Sequence, residues 1–155
     1  MQKGDVLLDI GLSLASHDCI GMLLECKSQY SVTLEAADII KPETVKTRYP
    51  TEWLAGILDV PITIGDIRTM KLPKERYDVV TCISTIEHIG YDAPSSTVEG
   101  SAFERKRSKE AVNKARDPHV NSKVLDAFHK ALKKGGTSVT LQRIPEGSKT
   151  IKIKI

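Results

Sequence analysis

The sequence predicts an α/β fold, a doubly wound and mostly parallel sheet flanked by helices. Three observations carry that prediction. Short runs of β-forming residues recur roughly 25 residues apart, with helix-compatible stretches between them, which is the rhythm of βαβ units. The strongest run, Tyr77–Ser84, is almost unbroken in β-formers, as a strand covered on both faces should be. The chain has 155 residues, 40% of them hydrophobic and 28% charged, which suits one domain with its own core and argues against disorder.

The elements follow in order. Asp5–Ile10, DVLLDI, is a short apolar run closed by Gly11 and reads as a buried strand. Leu12–Ser16 is a small-residue turn, with Ser16 placed to cap a helix over His17–Lys27. In that helix Ile20, Leu23, Leu24 and Cys26 share related faces. Val32–Ala37 is the second strand, ending at Asp38 and carrying an interior Glu35. Lys41–Pro50 is loop or broken helix, bracketed by Pro42 and Pro50. Thr51–Leu58 is a short helix with Thr51 as cap, and Pro61–Gly65 a short strand running into Asp66. After Tyr77–Ser84, the helix Val120–Lys134 puts Val124, Leu125, Phe128 and Leu132 on one side, and Gly135-Gly136 is expected to stop it. Thr137–Ile144 is a further strand. The tail Lys149–Ile155, KTIKIKI, alternates as an edge strand would, with lysines that discourage further pairing. Residues 91–117 break the rhythm: a polar, turn-rich stretch and then a highly charged one, expected to be an insertion or lid. The organisation expected is a single domain over residues 1–155.

Charge and cysteine usage exclude several classes. The net charge of +3 divides unevenly: −6 over residues 1–100, +3 over 101–117 and +6 over 118–155. The basic third reads first as a solvated lysine-rich face and second as a surface for an acidic partner. Three cysteines without a CxxC pair argue against a disulfide framework or zinc ribbon, and four scattered histidines against a metal site. No apolar run reaches the ~20 residues of a membrane helix. Asp5 and Asp9 interrupt the start where a signal peptide would be apolar, so a soluble cytoplasmic protein with no membrane contact is expected.

In a doubly wound sheet, ligands bind outside the carboxyl ends of the strands where the strand order reverses. Asp9, Asp38 and Asp66 stand at or near three such ends. One carboxylate can accept both hydroxyls of a ribose, so a nucleoside-type ligand leads. The turn after the first strand, GLSLAS, lacks the glycines of a pyrophosphate site, and no GxxxxGK[ST] is present. S-adenosylmethionine carries no phosphate and fits the shorter requirement: a small-residue turn, one acid for the ribose and one polar group for the adenine amine.

DVLLDIG at 5–11, the acid-ended Asp38-Ile39, GDIRTMKLPKERYDVVTCISTIEHIG at 65–90 and LKKGGTSVTLQRIPEG at 132–147 together resemble the class I S-adenosylmethionine-dependent methyltransferases. Their order and spacing cover most of residues 5–147. The resemblance implies a Rossmann-like sheet, here shortened at the C-terminus, and methyl transfer from S-adenosylmethionine to an oxygen or nitrogen acceptor, a small molecule or sugar-like group. It implies that Asp9 and Gly11 sit beside the methionine part of the donor. Asp38 would take the ribose with Ile39 against the adenine, Asp66 the adenine amine with Ile67 on the other ring face, and Ser84 and Thr85 would line the pocket near the sulfonium. Glu87 and His88 follow on the substrate side.

His88 is the candidate general base, titrating near neutral pH. Its alternative role is packing or capping. Asp9 could instead bond only the turn after it, and Glu35 could replace Asp38 as the ribose acid. Cys82 reads as core. Where the resembled family usually has glycines, this chain has Ser13 and Ala15. Strands beyond the fifth are expected to be missing, so a second copy covering the open sheet edge is the expected partner. A non-catalytic binding or structural subunit is the alternative function. A weaker one is a nucleic-acid methyltransferase using Arg105, Lys106, Arg107 and Lys109. No [DNS]PP[YF] follows the fourth strand, which counts against a base-amine acceptor.

Overall fold

β1 (Val6–Ile10) lies at the centre of the sheet. In the computed structural model it pairs with β2 (Thr33–Asp38) on one side and with β4 (Tyr77–Ile83) on the other. β3 (Ile62–Ile64) extends the sheet beyond β2, and β5 (Leu132–Leu141) extends it beyond β4. The order is β3-β2-β1-β4-β5 and every pairing is parallel, so the expected fold class is met. The structure describes residues 1–12, 17–41, 51–83, 85, 86, 89 and 119–141.

Parallel strands need crossovers, and the helices of the crossovers cover the sheet. α1 (His17–Tyr30) and α2 (Thr51–Leu58) lie on one face, where Cys19, Ile20, Leu23 and Ile57 pack on Leu7, Leu34 and Ala36. α3 (Val120–Ala131) covers the other face with Val120, Val124, Phe128 and Ala131 against Leu8, Ile10, Val80 and Cys82. Successive strand residues point to opposite faces, so Leu7 and Leu8 belong to different cores although adjacent in sequence. Cys82 is 1% exposed and is core, as its place in the strand suggested.

Two helix boundaries differ from expectation. α1 continues to Tyr30, and Ser31 turns the chain with a left-handed φ of 51°. Helix α2 spans Thr51–Leu58, the bounds expected. The helix over 120–134 ends at Ala131, three residues early. Its last carbonyls are taken by the neighbouring loop: Glu75 N–H donates to Lys130 O (3.0 Å) and Arg76 N–H to Ala131 O (2.9 Å). Leu132 is then free to turn extended, with φ −71° and ψ 141°. Gly135-Gly136 does a different job from the expected helix stop. Gly135 is left-handed, and the pair falls where the β4–β5 register shifts between Tyr77 and Val79. The Lys41–Pro50 loop (from residue 42), Ser84, Glu87, His88, the 91–117 insertion with Arg105, Lys106, Arg107 and Lys109, and the 149–155 edge strand lie outside the described residues. Among the described residues no helix is long and apolar enough to cross a membrane.

Candidate functional site

The chain leaves β1 towards β2 on one side, while β4 leads to β5 on the other. The rim above β1 and β4 is therefore where the strand order reverses. The one-to-one register brings Asp9 level with Thr81 of β4 and Ala36 of β2. Asp9 is 2% exposed, and the Thr81 hydroxyl donates to its Oδ1 at 2.6 Å. Among the described residues its side-chain partner is thus a neighbouring strand. Removal from water pushes its pKa up to about 7, the Thr81 bond pulls it down, and the charge of Asp38 adds to the rise.

Gly11 closes β1. Its N–H donates to Ala37 O at 2.9 Å, and its φ of +95° is left-handed. A Cβ here would lie 2.1 Å from Thr85 Oγ1. Conformation and space both require glycine, and they bring the end of β1 directly against the chain leaving β4. The Thr85 hydroxyl donates back to Ile83 O at 3.2 Å.

Asp38 ends β2 and is buried. Its Oδ1 accepts the Ile40 N–H at 2.9 Å, an Asx turn, and its carbonyl accepts the Gly65 N–H at 2.8 Å. The turn leaves Ile39 53% exposed at the rim. An isoleucine exposed beside a buried acid is what a site for an apolar ring next to a polyol would present.

Asp66 follows β3 and holds a tight turn: its carbonyl accepts the N–H groups of Thr69 (3.0 Å) and Met70 (2.8 Å). Its carboxylate is engaged by Arg68, through the backbone N–H at 2.9 Å and through Nε and Nη2, the last at 2.5 Å. These bonds hold its carboxyl below the usual range. Ile67 is half-buried against the α3-side core.

Glu35, the alternative ribose acid, stands three residues before the end of β2 and on the opposite face from Asp38. It is ion-paired with Arg76, and the Tyr77 hydroxyl donates to Oε2 at 3.2 Å. It has a structural partnership and no place at the rim. The structure thus gathers Asp9, Gly11, Asp38, Ile39 and Thr85 around one rim, with Asp66 and Ile67 on the next turn. Sequence reasoning missed Thr81 and Arg68. Thr81 needed the strand register. Arg68 could have been suspected from its spacing two residues after Asp66, where an Asx turn puts a side chain beside the carboxylate.

No family profile matches this chain, and no curated protein does either. Solved structures do. A Galdieria sulphuraria protein assigned as a sarcosine dimethylglycine methyltransferase matches with TM-score 0.54 and 12% identity, over 90% of this chain and 39% of its own. A Bacillus halodurans C-125 protein assigned as a methyltransferase matches with TM-score 0.53 and 15% identity, over 95% and 48%. A Haloferax volcanii protein assigned as a methyltransferase, solved in complex with the Trm112 methyltransferase activator, matches with TM-score 0.51 and 16% identity, over 90% and 46%. The chain spans less than half the length of these proteins. The likeness shows the fold: the Rossmann-like α/β architecture of methyltransferases expected from the sequence.

Proposed function

We propose that this chain binds S-adenosylmethionine at the rim above β1, β2 and β4, and that it is the core of a methyltransferase acting on an oxygen or nitrogen acceptor, a small molecule or sugar-like group. The observation that carries the reading is the pair of buried carboxylates, Asp9 and Asp38, at adjacent parallel strand ends, beside an obligatory glycine and an exposed isoleucine. When bound, S-adenosylmethionine supplies a methyl group activated on a sulfonium. The chain's own task is to hold the donor and align the acceptor.

In this reading Asp38 accepts the ribose hydroxyls, with Ile39 against one face of the adenine and Ile67 against the other. Asp66 accepts the adenine amine. Gly11, Ser84 and Thr85 give room for the methionyl arm, with Asp9 beside it at the end of β1. Where the acceptor must lose a proton, His88 takes it, with Glu87 beside it.

Calorimetry with S-adenosylhomocysteine tests the donor site. Wild type should give saturable heat, and Asp38→Asn, which keeps the shape of the Asx turn, should bind at least tenfold more weakly, about 1.4 kcal/mol. No heat with either S-adenosylhomocysteine or S-adenosylmethionine would sink the proposal.

A second reading is a non-catalytic subunit. It is favoured by the engagement of both Asp66 oxygens by Arg68. The Haloferax volcanii neighbour was solved with an activator protein, so a protein partner belongs to the same reading. Donor binding without methyl incorporation into mixed small-molecule acceptors, alone and with added partner, would favour it.

A further inference from the structure

The twelve residues between β3 and β4, 65–76, form turns and no helix. A crossover helix is the usual cover for this part of a parallel sheet. Here the Asp66 turn, Pro73 and the left-handed Glu75 (φ 50°) prevent one. Among the described residues, loop side chains roof the α3-side face of β2 and β3, and beneath them is a hollow of about 310 Å³. It shares no residue with the rim site.

The floor of the hollow is Leu8 and Ala37, and its roof is Met70 and Leu72. One wall is polar: Glu35, Arg76, Tyr77 and Lys71. Arg76 commits Nε and Nη2 to Glu35, and the Tyr77 hydroxyl donates to the same carboxylate. The Glu35 charge is thereby neutralised. Lys71 makes no ion pair among the described residues, so the wall carries one positive charge in excess.

We propose that this hollow is a second ligand site, for a small organic anion: a compact apolar body of about ten to fifteen non-hydrogen atoms bearing one carboxylate. The body fills the space between Leu8, Ala37, Met70 and Leu72, and the carboxylate meets Lys71 and the outer edge of the Arg76 guanidinium. The single excess charge selects a monoanion over a neutral or cationic molecule.

The chain has three methionines, and only Met70 lines the hollow, while Met22 lies on the exposed face of α1. Protein carrying ¹³C-methyl methionine, titrated with 1-naphthoate, should show a saturable shift of the Met70 methyl with Met22 unmoved. The neutral isostere 1-naphthamide should bind at least tenfold more weakly. Lys71→Glu, a surface change that leaves the fold intact, should weaken naphthoate by a similar factor. Thr63→Trp, placed to plug the hollow from the edge strand, should abolish the shift. No Met70 shift at millimolar naphthoate, equal binding of acid and amide, or unchanged binding by Thr63→Trp would each overturn the proposal. None of these readouts depends on donor binding.

Discussion

Asp9 and Glu35 stand one rung apart in adjacent parallel strands, since Leu8 pairs with Glu35 and Asp9 with Ala36. They face opposite sides of the sheet and are treated differently. Glu35 has a guanidinium and a phenol. Asp9, more deeply buried, has among the described residues a single neutral hydroxyl and a second carboxylate nearby. A carboxylate in the interior is ordinarily paired or left neutral, because an uncompensated charge costs several kcal/mol there. Glu35 therefore reads as part of the scaffold. Asp9 is a carboxyl with no counter-ion among the described residues, just below the rim, a condition that packing alone does not call for and that recurs at functional sites.

The largest expected effect lies on the Asp9 side. Gly11→Ala adds a methyl group into Thr85 at a left-handed position. The conformational cost of about 1–2 kcal/mol and the overpacking cost of about 1–3 kcal/mol act together. Urea denaturation should show a loss of roughly 2–5 kcal/mol, part of which Gly11→Ala/Thr85→Gly restores. No recovery in the double variant would mean that the two residues do not meet.

Asp9→Asn comes next and tests the contrast directly. The folded protein holds the Asp9 proton to about pH 7, whereas the unfolded chain releases it near 3.8. The folded state binds more protons between those values, so the Asp9 contribution is complete below about pH 4 and is lost as the pH rises through about 7. The amide does not titrate. The stability difference between Asp9→Asn and wild type should therefore move in favour of the variant from pH 4 to pH 8. Parallel pH profiles would show that Asp9 ionises like an exposed carboxylate, and the contrast with Glu35 would disappear.

Glu35→Gln should have the smaller effect expected of a half-open ion pair, a fall in Tm of about 2–4 °C that shrinks at high salt. S-adenosylhomocysteine binding should not change. A loss of donor affinity comparable to that of Asp38→Asn would move Glu35 into the site.

The sequence made the rhythm of strands legible, because parallel strands buried on both faces must be nearly continuous in apolar β-formers. DVLLDI and YDVVTCIS meet that demand. It made the acid-ended strands legible too, since a rim is where a short strand meets a polar turn. What it concealed depended on register and on neighbours remote in the chain. Asp9 and Thr81 are 72 residues apart, and nothing local to either announces the other. The early end of α3 is written in the backbone of residues 75 and 76, not in the glycines that looked like its stop. The hollow beneath Met70 comes from a crossover that is too broken to form a helix, and a sequence pattern records such an omission poorly.

Asp66 falls between the two cases, a rim carboxylate already held by a cation. Arg68→Ala removes the cation and leaves the Asx turn, because the backbone N–H of residue 68 still donates to Oδ1. The pair is partly exposed on both sides, so its loss should cost less than about 1 kcal/mol. The Asp66 carboxyl, held low by Arg68, should titrate closer to its ordinary value. Donor binding is the sharper readout. If Asp66 accepts the adenine amine, freeing it from Arg68 removes a competitor, and S-adenosylhomocysteine should bind more tightly by a few-fold. If affinity falls instead, Arg68 is itself in contact with the ligand or sets the turn that presents Ile67, and Asp66 belongs with Glu35 as a compensated structural acid.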